Sequence, residues 1–190
     1  MSQEKNTGQQ SDLSGYNNSW YYPGRGMIVR ALWYFTNAAF FNSWFPFNGI
    51  KLFLLRIFGA KVGTGVIIKP RVNIKYPWKL SVGNYCWIGE GVWIDNLEQV
   101  VLEDHVCISQ GAVIMCGNHN YKKKHFDLMV NPVHISRGAW VGAFSMLAPG
   151  INVGEHAVLQ ARSFATKNLD ANGIYAGNPA VKTGERVIDP

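Results

Sequence analysis

The sequence repeats every six residues. From Leu102 it reads LEDHVC, ISQGAV and IMCGNH, each hexad opening on an aliphatic residue, and the first two carry a small or branched residue at their fifth position. A helix returns to one face every 3.6 residues and a half-buried strand every two. A period of six therefore fits a chain wound into flat-sided coils with one inward column per face. Extended upstream, the frame picks up Val62, Ile68, Ile74, Val82, Ile88 and Ile94; downstream it picks up Ile135, Val141, Leu147, Val153, Leu159 and Ala165. Fourteen of these fifteen openers are Ile, Leu or Val. They fall in threes, so each group of eighteen residues makes one triangular turn of a parallel β-helix, about five coils in all. Small or branched residues four after an opener, such as Val66, Cys86, Ala112, Ala139, Ala157 and Ser163, are expected beside each column. Gly63, Gly83, Gly89, Gly142 and Gly154 directly follow openers, where a corner is expected to need a residue that tolerates a tight or unusual backbone. The longest break in the frame, near 115-134, predicts a protruding loop.

The rest of the chain has a different composition. Residues 1-26 are rich in Gly, Ser, Asn and Gln and are expected to be flexible unless Trp20 to Pro23 anchor them. No basic region followed by an apolar core opens the sequence, so no signal peptide is expected. Residues 27-58 are dense in aromatic and aliphatic side chains. The uncharged run Ala31 to Ile50 is long enough to span a bilayer, but Asn37, Asn42, Ser43, Pro46, Asn48 and Gly49 argue against a span. Two short helices, about 27-42 and 48-58, are predicted instead, forming a helical cap that plugs the open first coil. A further reading places this cap on a membrane surface, with Arg30, Lys51 and Arg56 near lipid phosphates. The β-helix domain with its tail then occupies 59-190, and nothing suggests a second independent domain.

The net charge of +6 comes with no nucleic-acid motif and no base-stacking aromatics on a basic face, so no nucleic-acid partner is expected. Lys122, Lys123 and Lys124 read either as a solvated face or as a guide for anionic ligands. Three cysteines, Cys86, Cys107 and Cys116, lack paired spacing, which speaks against a disulfide framework or a zinc knuckle. Cys116, close to His119, is a minor candidate nucleophile. Reduced thiols suit the cytoplasm.

With its hexads, the loop entered at GNHNY, the block GAWVGAFSMLAPGINVGEHAVLQARS and the closing IYAGNPAVK, the sequence resembles the hexapeptide-repeat acyltransferases. IKPRVNIKYPWKL and WIGEGVWIDN bring it nearest to the colanic acid biosynthesis acetyltransferases, which share features with the maltose, galactoside and xenobiotic enzymes. The resemblance spans roughly residues 27 to 185. It implies an all-β, left-handed parallel β-helix, a homotrimer, and transfer of acetyl from acetyl-CoA to a sugar hydroxyl with no metal. Handedness comes from the resemblance alone, because general chirality rules favour right-handed crossovers.

Activating a sugar hydroxyl calls for a base whose proton affinity suits neutral pH, and imidazole has it. The resemblance assigns that role to His119. It gives Asp95, with Asn96 and Asn118 nearby, the positioning of the acceptor, although one extra residue separates Asp95 from His119 here. It lines the acetyl-CoA channel with Trp140, Gly142, Ala143, Ala161, Ser163, Thr166 and Lys167, uses the Ala143 amide as an oxyanion donor, and places Lys182 near the CoA phosphates. The implied function is an O-acetyltransferase of surface polysaccharide biosynthesis. It would be cytoplasmic or at the inner face of the cytoplasmic membrane, with an acceptor that is free, nucleotide-linked or lipid-linked. Three readings stay open beside it: an antibiotic acetyltransferase, a zinc carbonic anhydrase on the same fold, and a non-catalytic scaffold.

Overall fold

Each hexad puts two residues into an extended segment, the opener inward and the residue before it outward, because successive strand side chains alternate across the pleat. In the computed structural model, which describes residues 10 to 189, these segments stack coil on coil into three parallel sheets. One sheet pairs Val62, Val82, Leu102, Ile135 and Val153 in line. A second aligns Ile68, Ile88, Ile108, Val141 and Leu159, and a third aligns Ile74, Ile94, Ile114, Leu147 and Ala165. The columns read from the six-residue frame are therefore the core. Every opener after Val62 is buried, as are the small residues four positions further on. Five coils are complete and a sixth begins: Leu169 bridges to Val153, and Tyr175 pairs with Leu159 before the chain turns back through Ala180–Glu185. The frame hides this last turn because a tyrosine replaces the aliphatic opener.

The corner glycines owe their place to stacking and not to an unusual backbone. A Cβ on Gly89 would lie 2.7 Å from the Gln110 amide nitrogen, and one on Gly142 2.6 Å from that of Ala161, so at these two corners only glycine fits the approach of the next coil. The left-handed backbone falls two residues later, at the third position after the opener, where Gly65, Gly91, Gly111 and Gly138 alternate with Arg71, Tyr85, His105, Phe144, His156 and Arg162.

The first coil has no coil below it, and side chains of the helical segment take that place. Helix α1, Met27–Thr36, runs into a wider turn, Asn37–Phe41, and helix α2 spans Asn48–Ile57. Asn48 donates to the Val66 carbonyl and accepts from the Ile68 amide, in the manner of a neighbouring strand. Asn37 accepts from the Ile74 amide, the Trp33 indole donates to the Ile74 carbonyl, and the fully buried Lys51 ammonium donates to the Ile68 and Lys69 carbonyls. Arg56 donates to the Val62 and Gly63 carbonyls. Lys51 and Arg56 thus hold the coil edge, where a carbonyl left without a donor would be costly; the expectation that Lys51 reaches lipid phosphates is corrected by its burial, while Arg56 stays exposed. Burial depresses the Lys51 pKa.

Of residues 1-26, the first nine lie outside the described residues. The remainder follow the coil surface: Lys124 and Asp12 share a backbone hydrogen bond, the Tyr21 hydroxyl donates to the Leu97 carbonyl, and the Trp78 indole donates to the Pro23 carbonyl.

Two substitutions separate close approach from backbone conformation. Gly89→Ala is expected to cost about 1–3 kcal/mol through overpacking against the next coil. Gly91→Asn, at a left-handed position with open space around it, should cost less than about 1 kcal/mol, since asparagine tolerates that backbone. Midpoints of chemical unfolding compare the two.

Candidate active site

The regular ladder is interrupted after Met115, which pairs with Asp95 on the coil below. The chain then leaves the coil as an antiparallel hairpin, Gly117–His119 against Leu128–Val130, and rejoins it at Val133–Ile135. His119 sits at the outer end of this hairpin, paired with Leu128. Its ring stacks on Phe126, centroids 5.1 Å apart, and meets Tyr16 at 5.6 Å in a tilted contact. The Nδ1 atom lies 2.8 Å from the Phe126 carbonyl oxygen. A carbonyl only accepts, so Nδ1 carries the hydrogen and Nε2 keeps its lone pair. Among the described residues Nε2 has no hydrogen-bond partner, so in the neutral ring its lone pair is open to a proton donor. Asn118 holds the backbone here, its Oδ1 accepting from the His119 amide at 2.7 Å. Tyr16 and Phe126 carry no motif that would have singled them out: both depend on the N-terminal segment and the loop folding onto one another.

Asp95 lies at the root of the hairpin, where a Cβ on Gly117 would come 4.0 Å from its Oδ2. Its Oδ1 pairs with Lys75 Nζ at 2.8 Å. Both line a cavity of about 590 Å³ between α1 and the coil, together with Arg30, Asn42, Tyr76 and Trp93. Asn96 differs from expectation. It is fully buried, accepting from the Tyr76 amide and donating to the Tyr76 and Lys79 carbonyls, so its amide closes a corner and no polar atom is left for an acceptor. Cys116 is buried too, and burial pushes its thiol up to about 12, far from the thiolate that a nucleophile needs.

The channel residues divide. Trp140, Gly142, Ala143 and Ala161 line one groove of about 600 Å³ on the second sheet, with Ser109, Gln110, Gln160 and Arg186. Trp140 projects outward because Val141 points in, and its indole donates to the Ser109 hydroxyl at 2.8 Å. The Ala143 carbonyl accepts from the Arg162 amide, while its own N–H has no backbone acceptor among the described residues. Ser109 and Gln110 occupy, one coil earlier, the positions of Gly142 and Ala143, so the repeat could have disclosed them; Arg186 had no such signal. Ser163, Thr166, Lys167 and Lys182 do not line this groove. Ser163 is buried and accepts from the Gly177 amide, while Thr166 and Lys167 follow the third-sheet strand Phe164–Ala165. Lys182 pairs with Glu185 at 2.6 Å and Asp170 at 3.8 Å, and the bond to Glu185 raises its pKa.

The other loop groups are also paired. Lys123 meets Asp127, Lys124 meets Asp12, and the His125 Nδ1 hydrogen goes to the Asp12 carbonyl. His134 bonds Glu103, which lowers the Glu103 pKa.

No family model matches the sequence. One relative carries most of its length: the Escherichia coli K12 protein named "Putative colanic acid biosynthesis acetyltransferase WcaF" is 38% identical over 178 residues, covering 93% of this chain and 97% of that one. The chain belongs to the hexapeptide-repeat acetyltransferase family. Galactoside O-acetyltransferase of Escherichia coli K12 is 24% identical over 66% of this chain and 64% of its own. Among solved structures, a hexapeptide-repeat acetyltransferase of Vibrio cholerae superposes with a TM-score of 0.76 at 16% identity, covering 83% of this chain and 90% of that one. Galactoside acetyltransferase in complex with coenzyme A does so with a TM-score of 0.73 at 23% identity, covering 83% and 80%. The coil of this hexapeptide-repeat acetyltransferase is accordingly the left-handed parallel β-helix.

Because Cys116 is buried and held as the thiol, iodoacetamide at neutral pH is expected to leave it unmodified in the folded protein and to label it after denaturation, as read by peptide mass spectrometry.

Proposed function

We propose that this acetyltransferase moves acetyl from acetyl-CoA to a hydroxyl of a saccharide used in surface polysaccharide assembly. The observation that carries the reading is the His119 ring, anchored through Nδ1 on the Phe126 carbonyl so that Nε2 is the basic nitrogen. The colanic acid name of the Escherichia coli relative supports a polysaccharide acceptor, and the coenzyme A held by the galactoside enzyme supports the donor.

In the proposed reaction His119 Nε2 takes the proton of the acceptor hydroxyl as that oxygen attacks the thioester carbonyl carbon. The carbonyl oxygen becomes an oxyanion and is stabilised by the Ala143 N–H, an oriented dipole that needs no side chain. Collapse breaks the carbon–sulfur bond, and the imidazolium returns its proton to the departing thiolate. The products are the acetyl ester and free CoA. Trp140 flanks the pantetheine arm, with Ala161 continuing the groove. Asp95, held by Lys75, orients acceptor hydroxyls in the cavity beneath α1. Each site is shared between neighbouring protomers of a cyclic trimer, the donor groove from one and His119 from the next. Acetyl-CoA supply places the reaction in the cytoplasm.

CoA release measured with acetyl-CoA and a panel of nucleotide-linked and lipid-linked saccharides tests the reading. His119→Ala should lower the acceptor-dependent rate by about 10²–10⁴-fold while leaving acetyl-CoA affinity unchanged by calorimetry. Asp95→Ala should mainly raise KM for the acceptor. A His119→Ala variant that keeps the full rate would remove His119 as the base.

A further inference from the structure

Between Asp12 and Glu90 the sequence contains no Asp or Glu, while nine Lys and Arg fall in that interval. This stretch supplies the whole helical cap and the first coil beneath it. The cap's inward side is closed by Trp33, Phe41 and Leu55, which are buried against the coil. Its outward side is not polar. Ile28, Leu32 and Phe35 follow one another at helical spacing on α1 and are all exposed, Phe35 by 69%. Trp44, Phe47 and Phe53 continue the surface through the turn and onto α2, exposed by 68%, 62% and 61%. Between the helices the rings touch in series, Phe40 of the wider turn to Phe45 at 5.0 Å and Phe45 to Phe47, just before α2, at 5.3 Å. Single exposed apolar residues are ordinary in a protein surface; a connected aromatic face is the mark of an interaction site.

The charges around this face decide its occupant. Arg30 is exposed on α1, Lys69 is exposed on the first coil, and the Arg71 guanidinium lies 5.2 Å over the Trp44 ring. No carboxylate lies on the cap or the first coil to answer them, so two copies meeting face to face would set cation against cation. A bilayer surface supplies both missing partners, acyl chain ends for the aromatic rings and phosphates for the cations at their rim. No helix among the described residues is long and apolar enough to cross a membrane, so the cap can lie on the bilayer and not through it. We infer that the outward face of α1, the Trp44 turn and α2 is a docking surface for anionic lipid. It does not rest on the acetyl-transfer reading, since of its residues only Arg30 borders the cavity assigned to the acceptor.

Sedimentation with sucrose-loaded vesicles tests this on the full chain. The protein is expected to pellet with phosphatidylcholine vesicles containing roughly one-third phosphatidylglycerol and to stay in the supernatant with phosphatidylcholine alone. The triple variant Phe35→Ser, Trp44→Ser, Phe53→Ser should lose about tenfold or more of the vesicle-bound fraction at unchanged circular dichroism, and Arg30→Glu with Lys69→Glu should lose a comparable amount. His119→Ala should bind vesicles like the wild type, which separates failure of docking from failure of catalysis. Equal capture by neutral vesicles, no capture by anionic ones, or full capture of the apolar triple variant would overturn the inference. So would a larger lipid-free assembly that the triple variant dissolves, since the face would then belong to a second copy.

Discussion

Every coil after the first is held by the coil beneath it, through backbone hydrogen bonds that run from one turn to the next. That ladder closes only if two conditions hold together. Aliphatic openers must fill the interior at each face, and the chain at the corners must approach the next coil closely enough to bond. Gly89 and Gly142 meet the second condition, since any Cβ there would collide with backbone one coil on. The inward columns and the missing Cβ atoms are therefore parts of one constraint, and the outward positions of each strand are left free for function.

A ladder of this kind has an open first rung. Here it is answered by side chains in place of a strand: Asn48 offers a donor and an acceptor to the same segment, Asn37 and Trp33 serve the neighbouring one, and Lys51 brings a buried charge to two carbonyls. Burying an ammonium among carbonyls is stabilising only because its donors are used, and the depressed Lys51 pKa records the desolvation that remains. The cap turns its hydrogen-bonding groups inward together with Trp33, Phe41 and Leu55, and a second set of apolar and aromatic side chains is left outside.

Chemistry collects where the ladder is broken. The hairpin after Met115 carries His119 clear of the coil. The same excursion brings Phe126 back to accept from Nδ1 and lets Tyr16 pack on the ring. Along the second sheet the unbroken repeat does the opposite work, setting Trp140 and Ala143 on one groove. One element is regular and presents a long, flat donor surface; the other is irregular and presents a single oriented base.

The sequence by itself determined the coil. The openers, their columns, the helical segment at 27-58 and the place of the long loop were legible because each depends on residues at fixed separations along the chain. His119 and Trp140 were legible for a related reason, since each sits at a definable step of the repeat within a recognisable motif. The tertiary structure decided the rest. It placed the corner glycines under close approach, with the left-handed backbone two residues later. It buried Asn96 and Cys116 and drew Lys182 to Glu185 and Asp170. It assigned Lys51 and Arg56 to the coil edge, and it set His119 between Tyr16 and Phe126. These outcomes depend on which groups meet across coils or between the N-terminal segment and the loop. No spacing within one stretch of chain encodes such a meeting; it is fixed by packing and by the need to pair each buried polar atom.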